Sequence, residues 1–113
     1  MNVQIFGTKK SFDSKKAERY FKERGIKYQF VDMKEKGLSK GEFHSVCQAV
    51  GGYEKLIDPK CKGKKLLALI QYLSEEDKKE KILENQKIIR TPIVRNGKQA
   101  TVGYEPDVWK DWK

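Results

Sequence analysis

The first 31 residues constrain this chain more than any other stretch, because they alternate strand, loop, helix and strand. Val3-Gln4-Ile5-Phe6 is a short apolar run, and Gly7-Thr8-Lys9-Lys10-Ser11-Phe12-Asp13-Ser14 breaks it. Ala17, Tyr20, Phe21 and Arg24 then share one helical stripe, and Gly25 stands where a helix ending in the left-handed region places its glycine. Ile26, Tyr28, Phe30 and Val31 supply a second strand. A βαβ unit of this kind sets the loop after its first strand at a helix N-terminus. Free N–H groups and the helix dipole there favour an anion or a thiolate. Ser11 stands in that loop.

Beyond the unit, Asp32 to Gly37 is a polar connector. Ser39 and Glu42 form an S-x-x-E capping box, followed by Phe43, Val46, Cys47 and Val50 at helical spacing, and Gly51-Gly52 ends that helix. Residues 53–62 read as an irregular basic segment containing Asp58-Pro59. Leu66, Leu67, Ile70 and Leu73 mark a short helix, and Ser74 with Asp77 caps another that carries Ile82 and Leu83. Residues 39–85 therefore read as an all-helical insertion. Strand chemistry returns in Pro92-Ile93-Val94-Arg95 and Gln99-Ala100-Thr101-Val102, which flank the hairpin signal Asn96-Gly97. Gly103 and Glu105-Pro106 lead into a last helix with Val108, Trp109 and Trp112. The order βαβ, helical insertion, ββα predicts an α/β, thioredoxin-like fold with a mixed four-stranded sheet, in one domain over residues 1–113.

Composition removes several functions. No apolar run approaches membrane-spanning length and no charged-then-apolar leader opens the chain, so the expectation is a cytoplasmic protein away from membranes. Two cysteines, Cys47 and Cys61, make no disulfide framework and no zinc spacing, so no metal site is expected. The net charge of +9 suggests nucleic acid at first sight, but only four of the 25 basic residues are arginines: Arg19, Arg24, Arg90 and Arg95. Base-edge readout depends on the arginine fork, whereas lysine interleaved with glutamate makes a solvated face. Specific nucleic-acid binding is not expected.

With these elements placed, the chain resembles the arsenate reductase (ArsC) and Spx family of the thioredoxin superfamily. Ile5-Phe6-Gly7-Thr8-Lys9-Lys10-Ser11-Phe12-Asp13-Ser14-Lys15-Lys16-Ala17 resembles the family's strand-loop-helix motif, in which a cysteine occupies the place of Ser11 and a basic residue that of Lys15. Ile89-Arg90-Thr91-Pro92-Ile93 is similar to its Arg-x-Pro strand entry, whose proline is cis. Val102-Gly103-Tyr104-Glu105-Pro106-Asp107-Val108-Trp109 is similar to its closing turn and helix. The resemblance implies an oxyanion or thiol/disulfide substrate, glutathione or another small thiol as reductant, and no bound metal or organic cofactor. It also implies that Lys15, Lys60 and Arg90 neutralise the anion's charge while Pro92 shapes the loop. A third arginine of the well-studied arsenate reductases has no counterpart, and Gly103 lies in its region. The Spx branch implies a different role, binding the C-terminal domain of the RNA polymerase alpha subunit. Gly51-Gly52 and the following basic segment are then the part to test.

Ser11 decides what chemistry remains. A helix N-terminus can ionise a thiol near neutral pH, but an alcohol needs an adjacent base before it attacks. The single histidine, His44, sits in the inserted helix and reads as a surface residue. Ser11-Phe12-Asp13-Ser14 has CxxC spacing, yet Ser14 is equally a polar residue of the first helical turn. The serine belongs either to a natural redox-silent relative, the reading preferred here, or to a parent whose cysteine was replaced. Cys47 lies on an apolar stripe and reads as an inert hydrophobe. Cys61, between Lys60 and Lys62, is the candidate secondary thiol, although an ordinary loop cysteine is the plainer reading. Tyr104, Trp109 and Trp112 read as cover for the core, and the lysines from Lys55 to Lys65 as either a docking face or solubilising charge.

Overall fold

A computed structural model describes residues 1–58 and 64–112. β1 (Val3–Gly7) runs through the middle of a sheet ordered β2-β1-β3-β4. It pairs in parallel with β2 (Tyr28–Asp32), from Val3↔Tyr28 to Gly7↔Asp32. On its other edge it pairs antiparallel with β3 (Ile93–Asn96), Phe6 opposite Ile93, and β3 pairs antiparallel with β4 (Gln99–Val102). The mixed four-stranded sheet and the thioredoxin-like order follow the sequence pattern.

Alternation along β1 separates two apolar clusters, because successive side chains point to opposite faces of a sheet. Val3 and Ile5 face Ala17, Tyr20 and Phe21 of α1 (Phe12–Glu23), together with Trp109 and Trp112. Phe6 faces the insertion, where Leu38, Phe43, Val46 and Ile82 bury against Val31 and Ile93. Gly25 ends α1 at φ 67°, as its position implied. The insertion contains α2 (Lys40–Val50), α3 (Lys64–Ile70) and α4 (Glu75–Glu84). The capping box of Ser39 with Glu42 is formed, and Ser74 caps α4.

Three expectations are corrected. Within the segment read as irregular, Tyr53–Leu56 is a 3₁₀ turn with Tyr53 and Leu56 buried, because its apolar residues close the insertion rather than face water. The two-residue hairpin loop is Gly97-Lys98, one position later than the Asn-Gly pair suggests. Asn96 stays in the strand, where its side chain accepts from the Asn2 N–H and donates to Gln99. The last helix is short, α5 (Pro106–Trp109), and Trp112 buries beyond its end. Cys61 and Lys60, with Pro59, Lys62 and Gly63, lie outside the described residues.

Long-range polar ties hold the insertion to the sheet. Ile57 bridges Ile89, Asp58 N–H donates to the Ile88 carbonyl at 2.9 Å, and Arg90 N–H donates to the Leu56 carbonyl at 2.7 Å. Gln86 grips the connector from both sides: its Oε1 accepts from Leu38 N–H at 2.7 Å and its Nε2 donates to the Leu38 carbonyl at 2.8 Å. Gly37 stands at φ 57° against that amide, in space no Cβ could share. Gln86→Ala leaves two part-buried backbone groups of Leu38 without these partners. It is expected to lower unfolding free energy by about 1–3 kcal/mol, measured as a shift of the urea midpoint at unchanged slope.

Candidate functional site

β1 ends at Gly7, and the chain turns through four residues before α1 begins. Ser14 makes the turn possible. It is buried, its Oγ accepts from Thr8 N–H at 3.3 Å, and it packs so closely on Gly7 that a side chain there would collide. The second serine of the CxxC-like spacing is thus a strut beneath the loop, and glycine at position 7 is the room it needs.

Ser11 is the N-cap of α1, at φ −80° and ψ 121°. Its Oγ accepts from Ser14 N–H at 3.2 Å and from the Thr91 hydroxyl at 3.2 Å. A hydroxyl has two lone pairs and one hydrogen. Two hydroxyls can trade donor and acceptor roles, so Ser11 Oγ is engaged on two sides whichever hydrogen lies between it and Thr91. Thr91 is the residue that motif reading passed over as the variable position between Arg90 and Pro92. No local signal could mark it, since its partner lies 80 residues away.

The Thr91–Pro92 peptide bond is cis, Pro92 is buried, and its carbonyl accepts from Gly103 N–H at 2.8 Å. Arg90 precedes them with an exposed side chain. Its guanidinium lies on Gly103, where an added Cβ would come within 3.0 Å of Nη2, so a side chain at that glycine would displace it. Among the described residues neither Arg90 nor Lys15 is ion-paired. The structure therefore brings Ser11, Thr91 and Pro92 together, with Arg90 one residue away. Lys15 is exposed on a separate depression of about 240 Å³ that also takes in Thr8, Lys9 and Glu18. A larger cleft of about 610 Å³ opens beside Thr8 and Thr91, with Lys34, Lys87, Asp58 and Glu84 along its walls.

The remaining candidates are placed as follows. His44 is exposed and pairs with Gln48 at 3.2 Å, on the inserted helix α2. Cys47 is buried among the insertion's apolar residues, and that burial pushes its thiol above its ordinary range. Trp109 and Trp112 are core, Trp109 donating to the buried Thr101 hydroxyl at 2.7 Å, whereas Tyr104 stays partly exposed. No group of three or more His, Cys, Asp or Glu side chains suited to a metal ion exists among the described residues, and no helix there is long and apolar enough to cross a membrane.

Comparison with known proteins matches residues 6–112 to the model of the ArsC family. The Global transcriptional regulator Spx 2 of Oceanobacillus iheyensis is 27% identical over 128 aligned positions, covering 100% of this chain and 94% of that protein. Among solved structures, an arsenate reductase from Vibrio cholerae superposes with a TM-score of 0.82 at 26% identity, covering 96% of this chain and 94% of that one. An ArsC family related protein from Bacteroides fragilis reaches 0.85 at 20% identity, covering 100% and 98%.

The Cys47 thiol carries a pH signature. Its folded pKa lies above its unfolded value near ~8.5, so the unfolded chain loses this proton first as pH rises. The stability it contributes is complete below that value and is lost as pH climbs through the folded pKa. Wild type is expected to lose stability between pH 8 and 10 more steeply than Cys47→Ala, measured by urea denaturation at each pH.

Proposed function

We propose, from the premise that this chain belongs to the ArsC family, that it is an oxyanion-holding member on a thiol-reductase scaffold, without thiol chemistry at position 11. One observation carries the reading: the residue at the α1 N-terminus is a serine whose oxygen is already engaged twice, by Ser14 N–H and by the Thr91 hydroxyl. Nucleophilic attack needs a lone pair and a base to take the proton. Among the described residues no histidine or carboxylate hydrogen-bonds to this hydroxyl. The open N–H groups of α1 and Arg90, which has no carboxylate partner among the described residues, remain suited to an anion. In this reading Ser11 donates to the oxyanion, Arg90 and Lys60 neutralise its charge, and Lys15 adds its positive field from the neighbouring depression. Pro92 fixes the height of the Thr91 loop. A cysteine-bearing form would use glutathione or another small thiol as reductant. The serine form needs none.

The test restores the thiol. Ser11→Cys is expected to titrate about one unit or more below ~8.5, read from the pH dependence of alkylation with Cys47 and Cys61 replaced by alanine. Adding Arg90→Gln is expected to raise that value again. Wild type is expected to show no glutathione-dependent arsenate reduction. A position-11 thiol that titrates like free cysteine would remove the anion-favouring site from this reading.

A second reading is favoured by the whole-length similarity to a protein named as a global transcriptional regulator. In it the chain binds the C-terminal domain of the RNA polymerase alpha subunit, through the insertion around Gly51-Gly52. Titration of this chain with that purified domain is expected to show binding at micromolar concentration. No binding in that range, with the domain shown to be folded, rejects the second reading.

A further inference from the structure

Half of the arginines in this lysine-dominated chain, Arg19 and Arg24, lie in one place. Together with Lys16 they line a groove of about 380 Å³ between the outer side of α1 and the turn that carries Tyr104. Glu23 is the one carboxylate among the residues that line it.

Two of the three cations of this groove are held in place, and among the described residues none is neutralised. The Arg24 guanidinium lies over the Tyr20 ring at 3.7 Å, and its Nη1 donates to the Tyr20 carbonyl at 3.1 Å. Lys16 Nζ lies over the Tyr104 ring at 5.7 Å. Elsewhere Lys78, Lys81 and Arg95 find carboxylates, whereas Lys16, Arg19 and Arg24 find none among the described residues, although Glu23 is four residues from Arg19. An arginine carries five donors, and Arg24 spends one of them within the chain. Rings and backbone hold the Lys16 and Arg24 heads at no cost to their remaining donors, which lowers the ordering penalty of a later contact.

We propose that this groove is a docking surface for an acidic helical segment of a partner protein. The positions decide the shape of the occupant. Lys16, Arg19 and Arg24 run along two turns of α1, about 12 Å at 1.5 Å per residue. A second helix carrying Glu or Asp at every third or fourth position matches that span. The guanidinium fork favours paired carboxylate oxygens. The chemistry disfavours a nucleic acid, because both rings already lie under the chain's own cations and Tyr104 also packs edge-on against Trp109 at 5.5 Å. A base would have to displace those cations to reach the faces they cover.

The probe is a fluorescein-labelled, helix-forming peptide with Glu at positions i, i+3, i+7 and i+10, followed by anisotropy in 50 mM and 200 mM salt. The full chain is expected to bind it, more weakly at the higher salt. The combined variant Lys16→Gln, Arg19→Gln, Arg24→Gln is expected to lose at least about tenfold in affinity, since exposed pairs contribute modestly one by one. Lys98→Gln, at the hairpin tip, is expected to stay within about twofold. Arg19→Gln alone removes no hydrogen bond or ion pair among the described residues, and a loss of affinity there keeps the result independent of folding. Equal losses in the groove and Lys98 variants would assign the binding to net charge and overturn the proposal. So would no binding, or groove-dependent binding of a single-stranded oligonucleotide tighter than that of the peptide. Ser11→Cys is expected to leave the affinity unchanged, so this surface and the oxyanion reading stand or fall separately.

Discussion

β1 is the constraint on which the other parts depend. It is bonded along both edges and buried on both faces, with Val3, Ile5 and Phe6 at most 1% exposed. Such a strand leaves the sheet no freedom of register, because a slip by one residue would send Phe6 to the α1 side and Ile5 to the insertion. Its C-terminal end is therefore a fixed point. Gly7 closes it, Ser14 braces it, and the first turn of α1 starts from there. The returning chain arrives at the same end through Phe6 opposite Ile93, so Pro92 and Thr91 must lie beside the loop. Residues 80 apart meet because two pairings to one strand leave them nowhere else to go.

What that meeting point can do is decided by magnitude. A helix N-terminus in a favourable geometry is worth up to about 2 kcal/mol, roughly one and a half pK units at 1.36 kcal/mol each. That moves a thiol from about 8.5 to about 7. It leaves an alcohol far from ionised at any physiological pH. The same field that would make a cysteine reactive leaves a serine a hydrogen-bond donor and a helix cap. One atom thus divides an ionisable side chain from one that stays neutral at the same helix N-terminus.

The parts of this molecule legible from its sequence are those whose causes are local. Ser39 with Glu42, Ser74 and Gly25 act within one helical turn, and each stands where its residue type implied. Short apolar runs and helical spacing likewise marked the strands and the buried helix faces. Long-range causes were not legible. Gln86 read as nothing in particular, yet it locks a connector 48 residues away. Tyr53 and Leu56 sit in a stretch whose lysines suggested a solvated loop, and they bury because the chain doubles back to bridge Ile89. The Asn-Gly signal found the hairpin but set it one residue early, because Asn96 makes better use of its amide inside the strand than in the turn. At the site, Ser11, Arg90 and Pro92 were carried by motif resemblance. Thr91 and the strut role of Ser14 came only with the fold.

The formal charge of +9 misleads when read as one number. Its arginines divide by environment. Arg95 is spent on Gln4 and Glu42 across the sheet, Arg90 lies unpaired over Gly103 beside the cis proline, and Arg19 and Arg24 share the outer side of α1. Arginine commits its geometry where lysine only supplies charge. Two of those three environments leave the guanidinium without a carboxylate among the described residues, and both border α1: one at its N-terminal end, the other along its flank. The buried stripe of α1 is narrow. Ser14, Ala17, Tyr20 and Phe21 are enough to seat it, and the rest of its surface is free for charge.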